Sequence, residues 1–91
     1  GNSIDPATGA VVPPIHVAST FRQPGAGEWG QFDYSRSGNP TRSNLQDTIA
    51  SLEGGCGSLA FSSGMAAIHC VTMLLRSADH VVAGCDLYGG A

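Results

Sequence analysis

The sequence contains no lysine, and its four basic side chains, Arg22, Arg36, Arg42 and Arg76, are scattered among seven acids. Charged residues of both signs make up only 12% of the 91 residues, and the net charge is -3. No basic cluster exists to follow a phosphate backbone, which argues against nucleic acid as a partner, and no run of like charge reads as a solvated tail. Long apolar runs are missing too, since none reaches the roughly 20 residues a membrane helix needs. The N-terminus lacks the charged and apolar regions of a signal peptide, so the expectation is a cytoplasmic protein with no membrane partner. Cys56, Cys70 and Cys85 are odd in number and stand 14 and 15 residues apart. That spacing fits neither a disulfide framework nor the close pairs of a zinc site, and it predicts reduced, buried thiols. His16, His69 and His80 lack ligand spacing and read as structural, so no metal is expected.

What is present is a globular composition, 42% hydrophobic. A chain this short buries only about 60–65% of its unfolded surface, which leaves it marginal as a free-standing core. It begins at Gly1 and closes just past Tyr88-Gly89-Gly90, in what reads as a loop, so the expectation is an excerpt of a longer sequence.

Residues 1–40 show no helical periodicity and hold all five prolines, with glycines at 25, 27, 30 and 38. Proline fixes its own φ and biases the residue before it toward extended backbone, which predicts an extended arm with a short strand near Ile15 to Thr20. An arm without its own core must lie on the rest of its chain or on a neighbouring subunit. At Asn39-Pro40 the character changes, because asparagine favours the N-cap and proline the first helical position. Leu45, Ile49 and Leu52 then fall at i, i+4 and i+7, and Gly54-Gly55 supplies a stop, so the spacing predicts a helix over 40–53. "GSLAFS" (57–62) reads as a buried strand. Ala67, Ile68, Val71, Leu74 and Leu75 predict a helix from about Gly64 to Arg76, and "HVVAG" (80–84) reads as a second strand. Strand, helix, strand at this spacing predicts a βαβ unit with parallel strands and hence an α/β class.

In an open parallel sheet, ligands bind beyond the carboxyl ends of the strands. The two loops that leave those ends, Ser62-Ser63-Gly64-Met65 and Cys85-Asp86-Leu87-Tyr88-Gly89-Gly90, are therefore expected to face one crevice. The first delivers the chain into a helix N-terminus, where free N–H groups and the dipole favour an anion; the competing reading is that a serine is simply the helix cap. This loop itself carries no G-x-G-x-x-G, and a Walker A loop would require a lysine. A helix end contributes only about 0.3–1 kcal/mol to an exposed anion. An arginine adds roughly 1.5–3 kcal/mol, which makes Arg36 and Arg42 in "YSRSGNPTR" (34–42) the candidates to complete such a site. Arg42 falls in the first turn of the predicted helix, against the dipole, and so calls for a specific partner or a solvated position.

Taken in order, "VVPPIHVASTF", "YSRSGNPTR", "LEGG", "SSGMAAIH" and "DLYGG" resemble the N-terminal part of the Cys/Met-metabolism (trans-sulfuration) family of pyridoxal-phosphate enzymes, of the cystathionine synthase and lyase type. The resemblance implies a fragment of the aspartate-aminotransferase-like (fold type I) large domain. Residues 1–40 would be an extended N-terminal arm contacting a neighbouring subunit, and 41–91 the start of the domain that binds pyridoxal 5'-phosphate. It further implies that Gly64 and Met65 give backbone N–H groups to the cofactor phosphate, with Ser63 beside them. Tyr88 would stack on the pyridine ring and assist catalysis, while Tyr34 and Arg36 would reach the neighbouring subunit's site in a homo-oligomer, a dimer of dimers. The activity implied is elimination or replacement at the β or γ carbon of an amino-acid substrate, cystathionine or an activated homoserine. Gly90 stands where methionine γ-lyases of the family carry cysteine, which disfavours that member. Such chemistry needs a lysine for a Schiff base. With none in the sequence, the chain is expected to help bind the cofactor without completing a catalytic cycle alone. The residues by themselves also admit a non-catalytic phosphate-binding βαβ module.

Overall fold

Helix α1, Pro40–Glu53, has the bounds that its capping signals predict. In the computed structural model, which describes residues 4–91, Asn39 is extended at φ -143° and ψ 134° and accepts the N–H of Thr41 on its side chain at 2.9 Å. Pro40 opens the helix with a ring that needs no partner for a missing N–H. Gly54 closes it in the left-handed region at φ 64°, where a side chain would be strained, and the N–H of Gly55 returns to Ala50 O at 2.9 Å.

The described residues divide into two units, one running to Leu59 and the other Ala60–Ala91. In the first, the proline-rich segment bends back on itself and ties to α1. The Phe21 N–H donates to Asp33 O at 2.9 Å and the Ser35 N–H to Ser19 O at 2.8 Å, around an antiparallel bridge between Thr20 and Tyr34. Gln23 organises the loop between them, since its Nε2 donates to Phe21 O and Phe32 O while its Oε1 accepts from the Gly30 N–H. Phe21 and Phe32 pack with ring centroids 5.5 Å apart. The His16 N–H donates to Thr41 Oγ1 at 2.8 Å, and Asn39 Nδ2 donates to His16 O at 3.1 Å, so the helix cap also fastens the arm. Further out, the hydroxyl of Thr8 and the N–H of Ala7 hold the Asp5 carboxyl below its ordinary range.

In the second unit, helix α2 runs Gly64–Thr72, shorter than the expected end at Arg76. The Thr72 hydroxyl donates back to His69 O at 2.7 Å, and the N–H groups of Leu74 and Leu75 reach carbonyls only three residues back, which tightens and ends the helix. The strands expected at 57–62 and 80–84 carry no ladder, and of the strand expected at Ile15 to Thr20 only the Thr20 bridge forms. The βαβ unit therefore does not close within the described residues. A parallel strand is buried on both faces and needs flanking strands and covering helices, which this length of chain does not supply.

None of the described residues is buried. The α1 stripe is open, with Leu45, Ile49 and Leu52 at 51%, 43% and 77% exposure, and Val82 reaches 93%. The cysteines are free thiols as expected, but they are not buried: Cys56 and Cys85 are exposed and Cys70 is half-buried. No helix of the described residues is long and apolar enough to cross a membrane.

Without a buried core, nothing couples the elements into one transition. The 91-residue chain expressed by itself is expected to lose its far-UV circular dichroism gradually in urea. A steep sigmoidal transition would contradict the open apolar surfaces described here.

Candidate functional site

The start of α2 decides between a helix cap and an anion seat. Ser63 is extended, at φ -154° and ψ 156°, and its Oγ accepts the Ala66 N–H at 3.1 Å, while its carbonyl accepts the Ala67 N–H at 3.2 Å. Ser63 is therefore the cap. A cap satisfies only part of the helix end, and the N–H groups of Gly64 and Met65 have no partner among the described residues. The Ser63 oxygen is used as an acceptor, so its hydroxyl hydrogen is still available to donate. A helix cap and two N–H donors without a partner among the described residues coexist on one loop.

These groups open onto a hollow of about 420 Å³ lined by Ser63, Gly64, Met65, Ile68, Tyr88 and Ala91. Tyr88 reaches it from a turn closed by the Ala91 N–H on Tyr88 O at 2.8 Å. The ring folds tightly over the turn. A Cβ at Gly90 would stand 2.6 Å from Tyr88 Cε1, so any side chain there requires the ring or the turn to shift. The space in front of Gly64 is open, with nothing within 4 Å of where its Cβ would be. Two N–H groups without a partner among the described residues, a hydroxyl and an aromatic ring beside one hollow are the chemistry that suits a phosphate joined to a planar ring. The hollow holds no cationic side chain. A dianion placed there would need positive charge from elsewhere.

Of the residues the sequence singled out, the structure brings Ser63, Gly64, Met65 and Tyr88 around this hollow, and it places Tyr34 and Arg36 together in the first unit. The Arg36 guanidinium lies over the Tyr34 ring, 5.0 Å from its centroid, a cation–π contact that leaves the donors of the guanidinium exposed. Arg42, the other candidate for the anion, is occupied. Its Nη1 donates to Ser35 O at 3.0 Å and its Nη2 to Arg36 O at 3.1 Å. Ile68, which lines the hollow one turn into α2, carries no polar signal and reads in the sequence only as part of the helix's apolar stripe. The Arg42 fork leaves a trace there only as a cation on the wrong end of a helix.

Comparison with known proteins places this site in context. The family model described as Cys/Met metabolism PLP-dependent enzyme matches residues 1–91. The cystathionine beta-lyase of Lactococcus lactis subsp. cremoris (strain MG1363) is 51% identical over 90 residues, 99% of this chain and 24% of its own length. The cystathionine beta-lyase MetC of Bacillus subtilis (strain 168) is 57% identical over 86 residues, 94% of this chain and 22% of its own length. Among solved structures, the cystathionine gamma synthase of Xanthomonas oryzae pv. oryzae in complex with cystathionine is similar with a TM-score of 0.70 and 51% identity, covering 76% of this chain and 18% of that one. The chain thus spans about a quarter of the length of such relatives.

The cap is separable from the anion seat by substitution. In a full-length protein carrying this sequence, Ser63→Ala should lower the stability of the cofactor-free form by about 0.5–2 kcal/mol, while Ser63→Asp, also a good cap, should hold it near wild type. Equal losses for the two variants in chemical denaturation would remove Ser63 from the cap.

Proposed function

The chain belongs to the Cys/Met metabolism PLP-dependent enzyme family, and from that premise we propose that it forms the N-terminal part of a trans-sulfuration enzyme. The enzyme would act on cystathionine or an activated homoserine, by elimination or replacement at the β or γ carbon. The observation that carries this reading is the hollow where unpaired N–H groups of Gly64 and Met65, the Ser63 hydroxyl and the Tyr88 ring converge. Residues 41–91 are then the start of a fold type I large domain, and the open strands 57–62 and 80–84 find their ladder partners in the remainder of that domain.

Each residue has a role set by its chemistry. The N–H groups of Gly64 and Met65 bind the phosphate of pyridoxal 5'-phosphate, and the Ser63 hydroxyl donates a further hydrogen bond. Their combined dipole is modest, about 0.3–1 kcal/mol for an exposed helix end, so a cation must supply the rest. Arg36, to which the family resemblance gives this role, is that cation, and Arg42 is spent on the Ser35 and Arg36 carbonyls. Tyr34 and Arg36 lie in the arm, and we place them at the site of a neighbouring subunit in a homo-oligomer, a dimer of dimers. Tyr88 would orient the cofactor ring by stacking, and its hydroxyl is the group in this hollow that would hold or move a proton near the substrate amine. When bound, the cofactor supplies an electron sink and a Schiff-base carbon, the latter through a lysine that this chain does not contain. The chain alone should therefore be inactive. Gly90, pressed against the Tyr88 ring, favours a cystathionine lyase or synthase over family members with cysteine at that position.

In the full-length enzyme, Arg36→Ala should raise the cofactor dissociation constant by about 10-fold or more, the value of one lost charged hydrogen bond, read by dialysis and visible absorbance. Retention equal to wild type would take Arg36 out of the site. Tyr88→Phe should keep the cofactor bound yet slow turnover by about 100-fold, as expected when a proton-transfer group is lost. Unchanged kinetics would leave the ring a stacking role only.

A further inference from the structure

We infer that Arg42 is a positioning residue for Arg36, fixing the direction from which that side chain approaches the cofactor phosphate. This rests on the role of Arg36 proposed above. Arg42 stands in the first turn of α1, where a cation opposes the helix dipole, so its presence there requires a compensating contact. Its guanidinium turns back from the helix, donating from Nη1 to Ser35 O at 3.0 Å and from Nη2 to Arg36 O at 3.1 Å.

Those two carbonyls belong to the consecutive peptide planes on either side of the Arg36 α-carbon. A peptide plane is rigid, and only φ and ψ at the α-carbon turn one plane against the next. Holding both planes therefore fixes both angles of Arg36, and with them its Cα–Cβ bond. What freedom remains lies in the side chain, and the Tyr34 ring, 5.0 Å away, restrains that. The flanks are held separately: the Ser35 N–H donates to Ser19 O at 2.8 Å, and the Gly38 N–H to Tyr34 O at 2.9 Å. Arg36 itself is exposed, and its side chain contacts the Tyr34 ring. The plane after Arg36 is also held by the Ser37 N–H, which donates to Tyr34 O at 3.0 Å, and the fork of Arg42 adds the hold on the plane before it. Lysine, a single ammonium, does not span two carbonyls in this planar way.

The test is a double-substitution cycle in the full-length enzyme, with the cofactor dissociation constant read by dialysis and absorbance for wild type, Arg42→Met, Arg36→Ala and the pair. Arg42→Met should weaken binding about 5-fold or more, and in the Arg36→Ala background the same change should have less than about a twofold effect, the signature of two residues acting as one. Arg42→Lys should fall between wild type and Arg42→Met, and it carries the cycle if Arg42→Met does not fold. Two results would overturn the inference: binding by Arg42→Met within twofold of wild type, or an undiminished loss in the Arg36→Ala background, which would mean that Arg42 acts on the fold alone. If Arg36→Ala itself leaves binding unchanged, the role of Arg36 fails and the inference falls with it.

Discussion

Two unpaired N–H groups at the start of α2, from Gly64 and Met65, are the constraint to which the functional reading returns. Ser63 caps the helix by taking the Ala66 N–H, and in doing so leaves those two donors facing a hollow that Tyr88 also lines. Donors in that position attract an anion, but a helix end alone is worth only about 0.3–1 kcal/mol to one at an exposed site. No cationic side chain is among the described residues lining the hollow, so the proposed seat needs its positive charge from elsewhere. The family resemblance, not the deficit by itself, motivates the proposed sharing of the site between subunits, with Arg36 of the arm supplying the charge.

The same incompleteness shows in packing. No described residue is buried, the α1 stripe of Leu45, Ile49 and Leu52 is open, and Val82 is almost wholly exposed. What holds the first unit is largely polar: the Asn39 cap that also fastens His16, the Gln23 network inside its loop, and the Arg42 fork. These bonds specify backbone direction well and contribute little cooperative stability, each being worth about 0.5–1.5 kcal/mol net. A family member of which this chain spans about a quarter would cover the apolar faces with the remainder of its fold.

The helices were legible in the sequence and the sheet was not. Asn39, Pro40, the i, i+4, i+7 stripe and Gly54 all point to one helix, and when local signals agree an element keeps its bounds. Ser63 and Gly64 mark the start of α2 equally well, but its end depends on the Thr72 hydroxyl turning back on His69, which spacing does not reveal. The runs at 57–62 and 80–84 have strand composition, yet a parallel strand exists only through its neighbours. Tyr88 and the serine loop do line one hollow, although the parallel sheet from which that was expected does not form among the described residues. The partner of Arg42 was not, because backbone carbonyls leave no mark in a sequence; only its conflict with the helix dipole did. The thiols were expected to be buried because their spacing excludes other roles, and their exposure reflects the missing cover.

The central claim is that one phosphate site draws its N–H donors from one subunit and its arginine from another. Subunits carrying Arg36→Ala, mixed by co-expression with subunits carrying Ser63→Asp, test it directly, since the aspartate keeps the cap while repelling a phosphate. If the site is shared across subunits, each mixed dimer contains one site with both intact halves. Separated mixed dimers should then bind the cofactor tightly at that site, although neither parent does. Mixed dimers that form yet bind no better than the parents would contradict the claim and return Arg36 to its own chain.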